Sequence, residues 1–299
     1  MATSPEGANG FGTAASAVPK REGMFDHAVL NLHYDLDAGE ELFNSLGFKI
    51  APRGYHSLGS MNHLIVFETN YLELIGLDPS NPNPRKELLD WPVGLNGLVY
   101  GSDNVDVTQA RLRSQQLPVL EPKALSRPVT IDGVVTEARF RTVHMDPGFF
   151  PASRLYFCEH LTPNLVWNDA FMQHPNTASC LKRLLVAADG LDVQSGRLAR
   201  AVAAKPDPDA RVDSGGTRVD FNSKQRLADF YRDNVCLEGS LPRVVGMSIG
   251  VRSLNALKAS LDSRWTGKLI EPDRHRLIVP GAECFGVMLE FLEPNVSLA

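Results

Sequence analysis

A chain of 299 residues and 32.8 kDa is long enough for one large domain or two compact ones. Its 43% hydrophobic and 22% charged residues are typical of a soluble globular protein. The formal net charge of −5 argues against nucleic acid or an anionic membrane as the main partner. No apolar run approaches the roughly 18 residues that span a bilayer. Four cysteines without C-x-x-C spacing indicate reduced thiols, and we expect a cytoplasmic protein.

The N-terminal residues 1–22 are rich in Ala, Gly, Ser, Thr and Pro and show no hydrophobic period. They lack the early basic segment and apolar core of a secretory signal. We therefore predict a disordered N-terminal extension that precedes the folded chain.

A strand, a helix and three further strands are predicted in succession over residues 25–79. The first and last strands alternate, whereas the helical segment has apolar residues at the spacing of one helix face. Three prolines in the following nine residues predict a loop. The predicted elements are strand 25–32, helix 35–47, and strands 48–56, 62–69 and 71–78.

Alternation along these strands separates an aliphatic face from a face that carries polar groups. We expect the aliphatic faces to lie under the helix. Burying polar groups without partners is costly, so polar residues gathered on the opposite face suggest a site. The residues expected on that surface include His27, Asn31, His63, Phe67, Tyr71 and Glu73.

The βαβββ pattern resembles the vicinal oxygen chelate superfamily, and within it the glyoxalase-like proteins. The stretches F-D-H-A-V, D-L-D-A, L-G-F, N-H-L-I-V-F and Y-L-E-L-I-G carry the resemblance. The resemblance implies an α+β fold of tandem βαβββ modules, in which paired, curved, mixed sheets enclose a cleft and helices pack outside. It also implies a divalent metal held by first-strand and fourth-strand residues, positions at which His27 and Glu73 stand.

A second copy of the pattern covers strand 95–102, helix 105–117, and strands 136–144 and 153–161. Aligning Y-L-E-L-I-G-L-D-P with L-Y-F-C-E-H-L-T-P so that their glutamates coincide superposes Glu159 on Glu73 and nearly matches the terminal prolines, and we take Glu159 as the third metal ligand. The next residue, His160, is its rival and would need a bulge to reach the same face. The first-strand alignment places Gly97 opposite His27, which argues against true glyoxalase I activity because that activity implies four protein ligands.

Third and fourth copies start near residues 179 and 243, with Arg183 and Gly246 at the first-strand ligand position. Neither residue type replaces a histidine ligand, so we expect a structural or substrate-shaping role for this half. The resulting division is a glyoxalase-like domain over 23–175 with the candidate cleft, and a degenerate module pair over 176–299.

The resemblance implies a metal-dependent enzyme of lyase, isomerase or dioxygenase type that acts on a small oxygenated substrate. Two carboxylates and one imidazole would suit Zn²⁺, Mn²⁺, Fe²⁺ or Ni²⁺. We expect His63 as a base and Glu73 as the second catalytic residue. The residues expected to contact the substrate are Asn31, Phe67, Tyr71 and Trp167.

A metal-free protein that binds or sequesters a small molecule is the alternative on the same fold. His27 and Glu73 would then form a hydrogen-bonded pair, and Tyr71, Phe67 and Trp167 would set specificity. Superfamily members often dimerise, so a homodimer is one expected assembly.

Overall fold

A computed structural model of the chain shows repeated strand–helix–strand units. The structure describes residues 21–131 and 133–294, so residues 1–20 of the predicted disordered extension lie outside the described residues. The first unit comprises β1 (Phe25–Asn31), α1 (Leu36–Ser45), β2 (Gly54–Tyr55), β3 (Ser60–Val66) and β4 (Tyr71–Leu77). The strand predicted over 48–56 is therefore reduced to two residues.

The second unit repeats this order with a longer outer hairpin. It includes a strand over 123–131 for which the sequence analysis made no prediction. Its elements are α2 (Lys86–Leu89), β5 (Gly94–Gly101), α3 (Val105–Ser114), β6 (Lys123–Ile131), β7 (Val134–His144), β8 (Arg154–His160) and α4 (Asp169–Met172).

The C-terminal half contains two further units, and the third departs from the expected pattern. In the described residues it has three strands, and helix α6 follows where a fourth strand would come. The elements are β9 (Ala178–Ala187), α5 (Leu191–Val202), β10 (Arg211–Ser214), β11 (Thr217–Asn222), α6 (Lys224–Tyr231), β12 (Arg243–Val251), α7 (Leu254–Ser260), β13 (Ile270–Asp273), β14 (Arg276–Val279) and β15 (Met288–Leu292).

Two curved mixed sheets result, which confirms the α+β prediction. The first has the strand order β2-β3-β4-β1-β5-β8-β7-β6, and the second β10-β11-β9-β12-β15-β14-β13. In the first sheet β1 runs parallel to β4 and antiparallel to β5, while β5 runs parallel to β8. The first strands of the two units thus lie side by side at the centre of the sheet.

The helices pack on one face of each sheet because one stripe of each helix is apolar. In α1, Leu36, Leu42 and Phe43 are buried, and the helix ends before Gly47, whose φ of +75° suits the left-handed position after a helix. The helix-bearing faces of both sheets contribute to one continuous core, in which Phe48 and Phe291 lie 6.0 Å apart.

The opposite faces of the two sheets differ in what covers them. On the second sheet, Leu227 and Tyr231 of α6 pack against Leu185, Val245 and neighbouring residues. On the first sheet a cavity of about 200 Å³ remains open between strands of both units. The candidate functional site is therefore on the first sheet.

Candidate functional site

The cavity on the first sheet, here called the His27 cavity, lies on the face opposite α1 and α3. It is bordered by β1, β3 and β4 of the first unit and by β6, β7 and β8 of the second. Its polar lining includes His27, His56, Asn62, Tyr71, Glu73 and Arg127. The structure thus brings together His27, Tyr71 and Glu73 from two adjacent parallel strands.

His27 is oriented by the residue before it. Asp26 is fully buried, and its Oδ1 lies 2.7 Å from His27 Nδ1 and 3.0 Å from His160 Nε2. Arg21 Nε lies 3.2 Å from the other oxygen. The register between β1 and β5 shifts between Phe25 and His27, and such a bulge re-aims the side chain between them.

The charge state of Asp26 fixes the tautomer of His27. Burial alone would raise the pKa of Asp26, but the charges and hydrogen bonds of His160 and His27 hold it well below its usual range. The ionised carboxylate accepts a hydrogen bond from Nδ1 of His27, which leaves Nε2 directed toward the cavity. The His27 ring also stacks on Tyr71, with centroids 4.1 Å apart.

Glu73 faces His27 across the cavity floor, with its Oε2 3.8 Å from His27 Nε2. Its other oxygen, Oε1, accepts a 2.7 Å hydrogen bond from the Asn62 amide and lies 3.7 Å from His56 Nε2. Burial raises the pKa of Glu73, but His56, His27, the Asn62 hydrogen bond and Arg127 lower it by more. Glu73 is therefore a carboxylate at neutral pH.

His56 completes this polar group as a neutral imidazole. Burial lowers its pKa to about 4 despite the nearby charge of Glu73. Its Nδ1 contacts the Ser60 hydroxyl at 2.8 Å, and its Nε2 accepts a 3.2 Å hydrogen bond from Asn62. The Asn62 amide therefore donates to both Glu73 and His56 and fixes their relative positions.

The face predicted for His63 and Phe67 is wrong. In the β3–β4 register Leu64 pairs with Glu73 and His63 with Leu74, so His63 lies on the helix side. There its Nδ1 lies 2.9 Å from the Ala51 carbonyl oxygen, and its Nε2 accepts from Arg53 Nε at 3.1 Å. The prediction failed because Leu64 to Phe67 is apolar at four successive positions, so alternation does not distinguish the two faces.

Glu159 also points away from the cavity. Its Oε2 accepts from the backbone N–H of Val105 at 3.2 Å and lies 3.6 Å from Arg141, outside the sheet. Its rival His160 pairs in register with Phe140, which lines the cavity, and reaches Asp26. The preference for Glu159 over His160 as a cavity-side residue is therefore corrected, since successive strand residues face opposite ways.

Two predicted substrate contacts lie near the cavity without lining it. Asn31 is fully buried and donates to the Leu88 carbonyl at 2.8 Å, so it anchors α2. Trp167 packs against His160 and Tyr71, with its ring centroid 4.9 Å from that of His160 and 5.7 Å from that of Tyr71. The Arg21 guanidinium covers its ring at 4.0 Å.

Gly97, the predicted vacant ligand position, pairs with Val29 and not with His27. A Cβ at Gly97 would lie 2.6 Å from Val29 Cβ. The close approach of the two central strands therefore leaves no space for a ligand side chain at this position.

His27 Nε2 and Glu73 Oε2 are the donors that fit the divalent ion of the superfamily. Two ligands of one tetrahedral ion at about 2.1 Å lie roughly 3.4 Å apart, close to the observed 3.8 Å. A histidine whose other nitrogen donates to a carboxylate is also typical of metal ligands. Within residues 21–131 and 133–294, no three His, Cys, Asp or Glu side chains are grouped to hold one ion. The described residues therefore offer two protein ligands to such an ion, His27 Nε2 and Glu73 Oε2.

His144 lines the opposite side of the His27 cavity and stacks on Tyr156, with ring centroids 4.3 Å apart. Burial lowers the pKa of His144 to about 3, and the charges of Arg154 and Lys123 act in the same direction. The unfolded chain protonates this imidazole near its ordinary pKa of about 6.5. The stability that comes from a neutral His144 is thus fully present above pH 6.5 and is lost as the pH falls toward 3.

We expect the His144→Gln variant to lose less stability on acidification than the wild type. The titration of His144 should remove about 3 kcal/mol of unfolding free energy between pH 7 and pH 4. Urea denaturation at both pH values measures the difference. His275→Gln, at an imidazole that is 44% exposed, is the matched control and should behave like the wild type. Equal acid sensitivity of His144→Gln and the wild type would contradict this assignment.

The paired units, the two curved mixed sheets and the cavity between units define a glyoxalase-like fold of the vicinal oxygen chelate superfamily. The chain belongs to the family described as Glyoxalase-like domain, whose family model matches residues 25–202, more than half of the chain. No curated protein matches the chain. In the described part of the chain, no helix has the length and apolar character needed to cross a membrane.

Solved structures support the fold over nearly the whole chain. A hypothetical protein from Staphylococcus aureus is 12% identical, with a TM-score of 0.61 over 90% of this chain and 98% of its own. A triple mutant of 4-hydroxymandelate synthase from Streptomyces coelicolor is 12% identical, with a TM-score of 0.54 over 93% and 94%. A xylose isomerase-like TIM barrel/4-hydroxyphenylpyruvate dioxygenase fusion protein, also 12% identical, reaches 0.57 over 94% of this chain and 51% of its own. At this identity the likeness shows the fold alone.

Proposed function

We propose that this chain is a metal-dependent enzyme that acts on a small oxygenated organic substrate in the His27 cavity. The observation that carries the proposal is the pair of donors, His27 Nε2 and Glu73 Oε2, which face each other at 3.8 Å. A Zn²⁺, Mn²⁺, Fe²⁺ or Ni²⁺ ion bound there would supply Lewis-acid stabilisation of negative charge on substrate oxygens. The isomerase, lyase and dioxygenase reactions remain alternatives, since the fold hosts several chemistries.

The surrounding residues of this chain hold the two donors in a reactive state. Asp26 keeps His27 in the tautomer whose Nε2 is unprotonated, and Asn62 fixes one oxygen of Glu73 so that the other faces the cavity. The Tyr71 hydroxyl lies 3.4 Å from His27 Nε2, where it can orient a substrate oxygen. His63 is not part of this proposal because its imidazole lies on the other face of the sheet.

Elemental analysis of protein purified without chelators tests the proposal. We expect near-stoichiometric metal in the wild type and loss of it in the His27→Ala, Glu73→Ala double variant. Glu159→Ala is the matched control and should retain the metal, because Glu159 lies outside the cavity. EDTA should lower the melting temperature of the wild type but not of the double variant, since a ligand of the native state stabilises it.

Two outcomes of this experiment would contradict the proposal. One is a wild type that holds no metal after incubation with each of the four ions. The other is a double variant with the metal content of the wild type, which would place the ion elsewhere.

A metal-free binding protein is the second candidate. The observation that favours it is that the described residues supply two grouped donors where three were predicted. Stacked rings in the cavity wall, His27 on Tyr71 and His144 on Tyr156, would then provide flat surfaces for an aromatic ligand. Absence of metal from the wild type would favour this candidate.

A further inference from the structure

Arg127 brings a positive charge into the wall of the His27 cavity. It lies on β6, it is only 5% exposed, and it lines the cavity together with His27 and Glu73. It makes no hydrogen bond or ion pair with any residue among 21–131 and 133–294. A nearby arginine of the same cavity is different, because Arg85 donates to the Ser60 hydroxyl and pairs with Glu87.

The position of Arg127 is close to the reactive pair. A Cβ added at Gly54 would lie 2.9 Å from Arg127 Nη1 and 2.5 Å from Asn62 Oδ1. The guanidinium therefore lies beside the amide that hydrogen-bonds Glu73. A molecule that occupies the cavity can contact Arg127 and the His27–Glu73 pair at the same time.

A buried guanidinium that lacks a hydrogen-bond or ion-pair partner within the described ranges is costly for the folded protein. Burying a charge without a partner requires compensation by hydrogen bonds or by an opposite charge. Burial lowers the pKa of Arg127, even though the charge of Glu73 acts in the opposite direction. A group that destabilises the free protein in this way is typical of a binding site, where a ligand supplies the missing partner.

A second cation of the cavity also lacks a carboxylate partner in the described chain. Arg154 on β8 donates to the Asn96 backbone oxygen at 3.3 Å and to its side-chain oxygen at 3.1 Å. Both of these acceptors are neutral. Two guanidinium groups that form no ion pair with a carboxylate among residues 21–131 and 133–294 therefore line one cavity, and its remaining wall includes apolar side chains such as Leu64, Ile75 and Phe140.

We infer that the substrate of this site is an apolar molecule that carries an oxyanion, a carboxylate or a phosphate ester, which Arg127 binds. The planar guanidinium can donate two parallel hydrogen bonds to either group. Arg154 adds to the positive field. The inference rests on the proposed function for the placement of the reacting end at His27 and Glu73, but the binding of the anion is independent of the metal.

Isothermal titration calorimetry of EDTA-treated protein with benzoate, phenyl phosphate and benzamide tests the inference. We expect at least one of the two anions to bind about 10- to 100-fold more tightly than neutral benzamide, as charge-assisted hydrogen bonds imply. The tighter of the two anions identifies the oxyanion. Arg127→Gln should abolish this preference, Arg127→Lys should retain part of it, and Arg139→Gln, at an exposed arginine of β7, should leave it unchanged.

The ligand-free melting temperature separates binding from a structural role. Because Arg127 forms no hydrogen bond or ion pair with the part of the chain that the structure describes, Arg127→Gln should melt at or above the wild-type temperature. A large decrease would identify Arg127 as a structural counter-charge of Glu73 and overturn the inference, as would equal affinity for the anions and benzamide. If the wild type binds no metal but still prefers the anions to benzamide, only the proposed function is refuted. Metal binding without anion preference would refute this inference only.

Discussion

The Arg183→Met variant is expected to lose about 3–5 kcal/mol of unfolding free energy, the usual cost of breaking a buried ion pair from one side. Arg183 lies on β9 of the second sheet, and its Nη2 donates to Glu290 at 2.5 Å and to the Tyr231 hydroxyl at 2.6 Å. Its Nε donates to Ser248 at 3.1 Å. Removal of the guanidinium would leave the Glu290 carboxylate, which is 0% exposed, without its main partner.

The double variant Arg183→Met, Glu290→Leu should recover part of this loss, because it removes both charges of the closest pair but leaves Asp220, 3.6 Å from Arg183 Nη1, and Arg276, 3.7 Å from Glu290 Oε1, without these partners. Urea denaturation of the wild type, the single variant and the double variant measures the coupling. Arg264→Met breaks an ion pair with Asp262 in which both side chains are nearly half exposed, and it should cost less than about 1 kcal/mol. A single variant within 1 kcal/mol of the wild type would show that Arg183 is not the counter-charge of Glu290.

This network distinguishes the second sheet from the first. Aligning M-L-E-F-L-E in the fourth copy with Y-L-E-L-I-G in the first places Glu290 on β15 level with Glu73 on β4. In the second sheet Arg183 neutralises the carboxylate, and Tyr231 of α6 covers the pair. In the first sheet Glu73 keeps one oxygen directed toward the cavity, and the nearby guanidinium of Arg127 forms no hydrogen bond or ion pair with any residue that the structure describes. Among the described residues the arginine of the second sheet is paired with a carboxylate and Arg127 is not, and this contrast supports a site for an external ligand in the first sheet.

The sequence predicted the elements of the first unit well where one face of a strand differs clearly from the other. In β1 and β4, polar His27, Asn31 and Glu73 alternate with alanine and leucine residues, and the structure places His27 and Glu73 on one surface. In β3 both faces carry apolar residues, so alternation could not show which face His63 occupies. In β8 the two polar residues Glu159 and His160 are adjacent and face opposite ways, so alternation could not show which of them faces the cavity. Cross-strand register settled both, and register is a tertiary property.

The residues that the sequence analysis missed depend on contacts distant in the chain. Arg127 lies in a segment with a proline at its centre, which is a poor strand signal, and β6 forms because it pairs along its whole length with β7. Asp26 was overlooked because strict alternation points it away from His27. The bulge in β1 reverses that direction, and no residue type in F-D-H-A-V marks the bulge.

The Asp26→Asn variant is expected to lose about 2–3 kcal/mol of unfolding free energy at pH 7, because two histidines and Arg21 share this buried carboxylate. The folded-state pKa of Asp26 is held far below its ordinary value of about 3.8. Its stabilising contribution is therefore fully present above pH 3.8 and is lost as the pH falls through the folded-state pKa. The deficit of the variant relative to the wild type should accordingly shrink below pH 3.8.

The same substitution should lower the affinity of the proposed His27–Glu73 metal site about 10- to 100-fold, because Asn cannot hold His27 in one tautomer as a carboxylate does. Calorimetric titration of the chelator-treated protein with Zn²⁺ measures this effect, and denaturation measures stability on the same samples. Asp90→Asn, at an exposed carboxylate that pairs with Lys86, is the control and should change neither quantity. A loss of stability with unchanged affinity would make Asp26 a structural residue, whereas loss of both would identify it as the residue that orients His27 for binding.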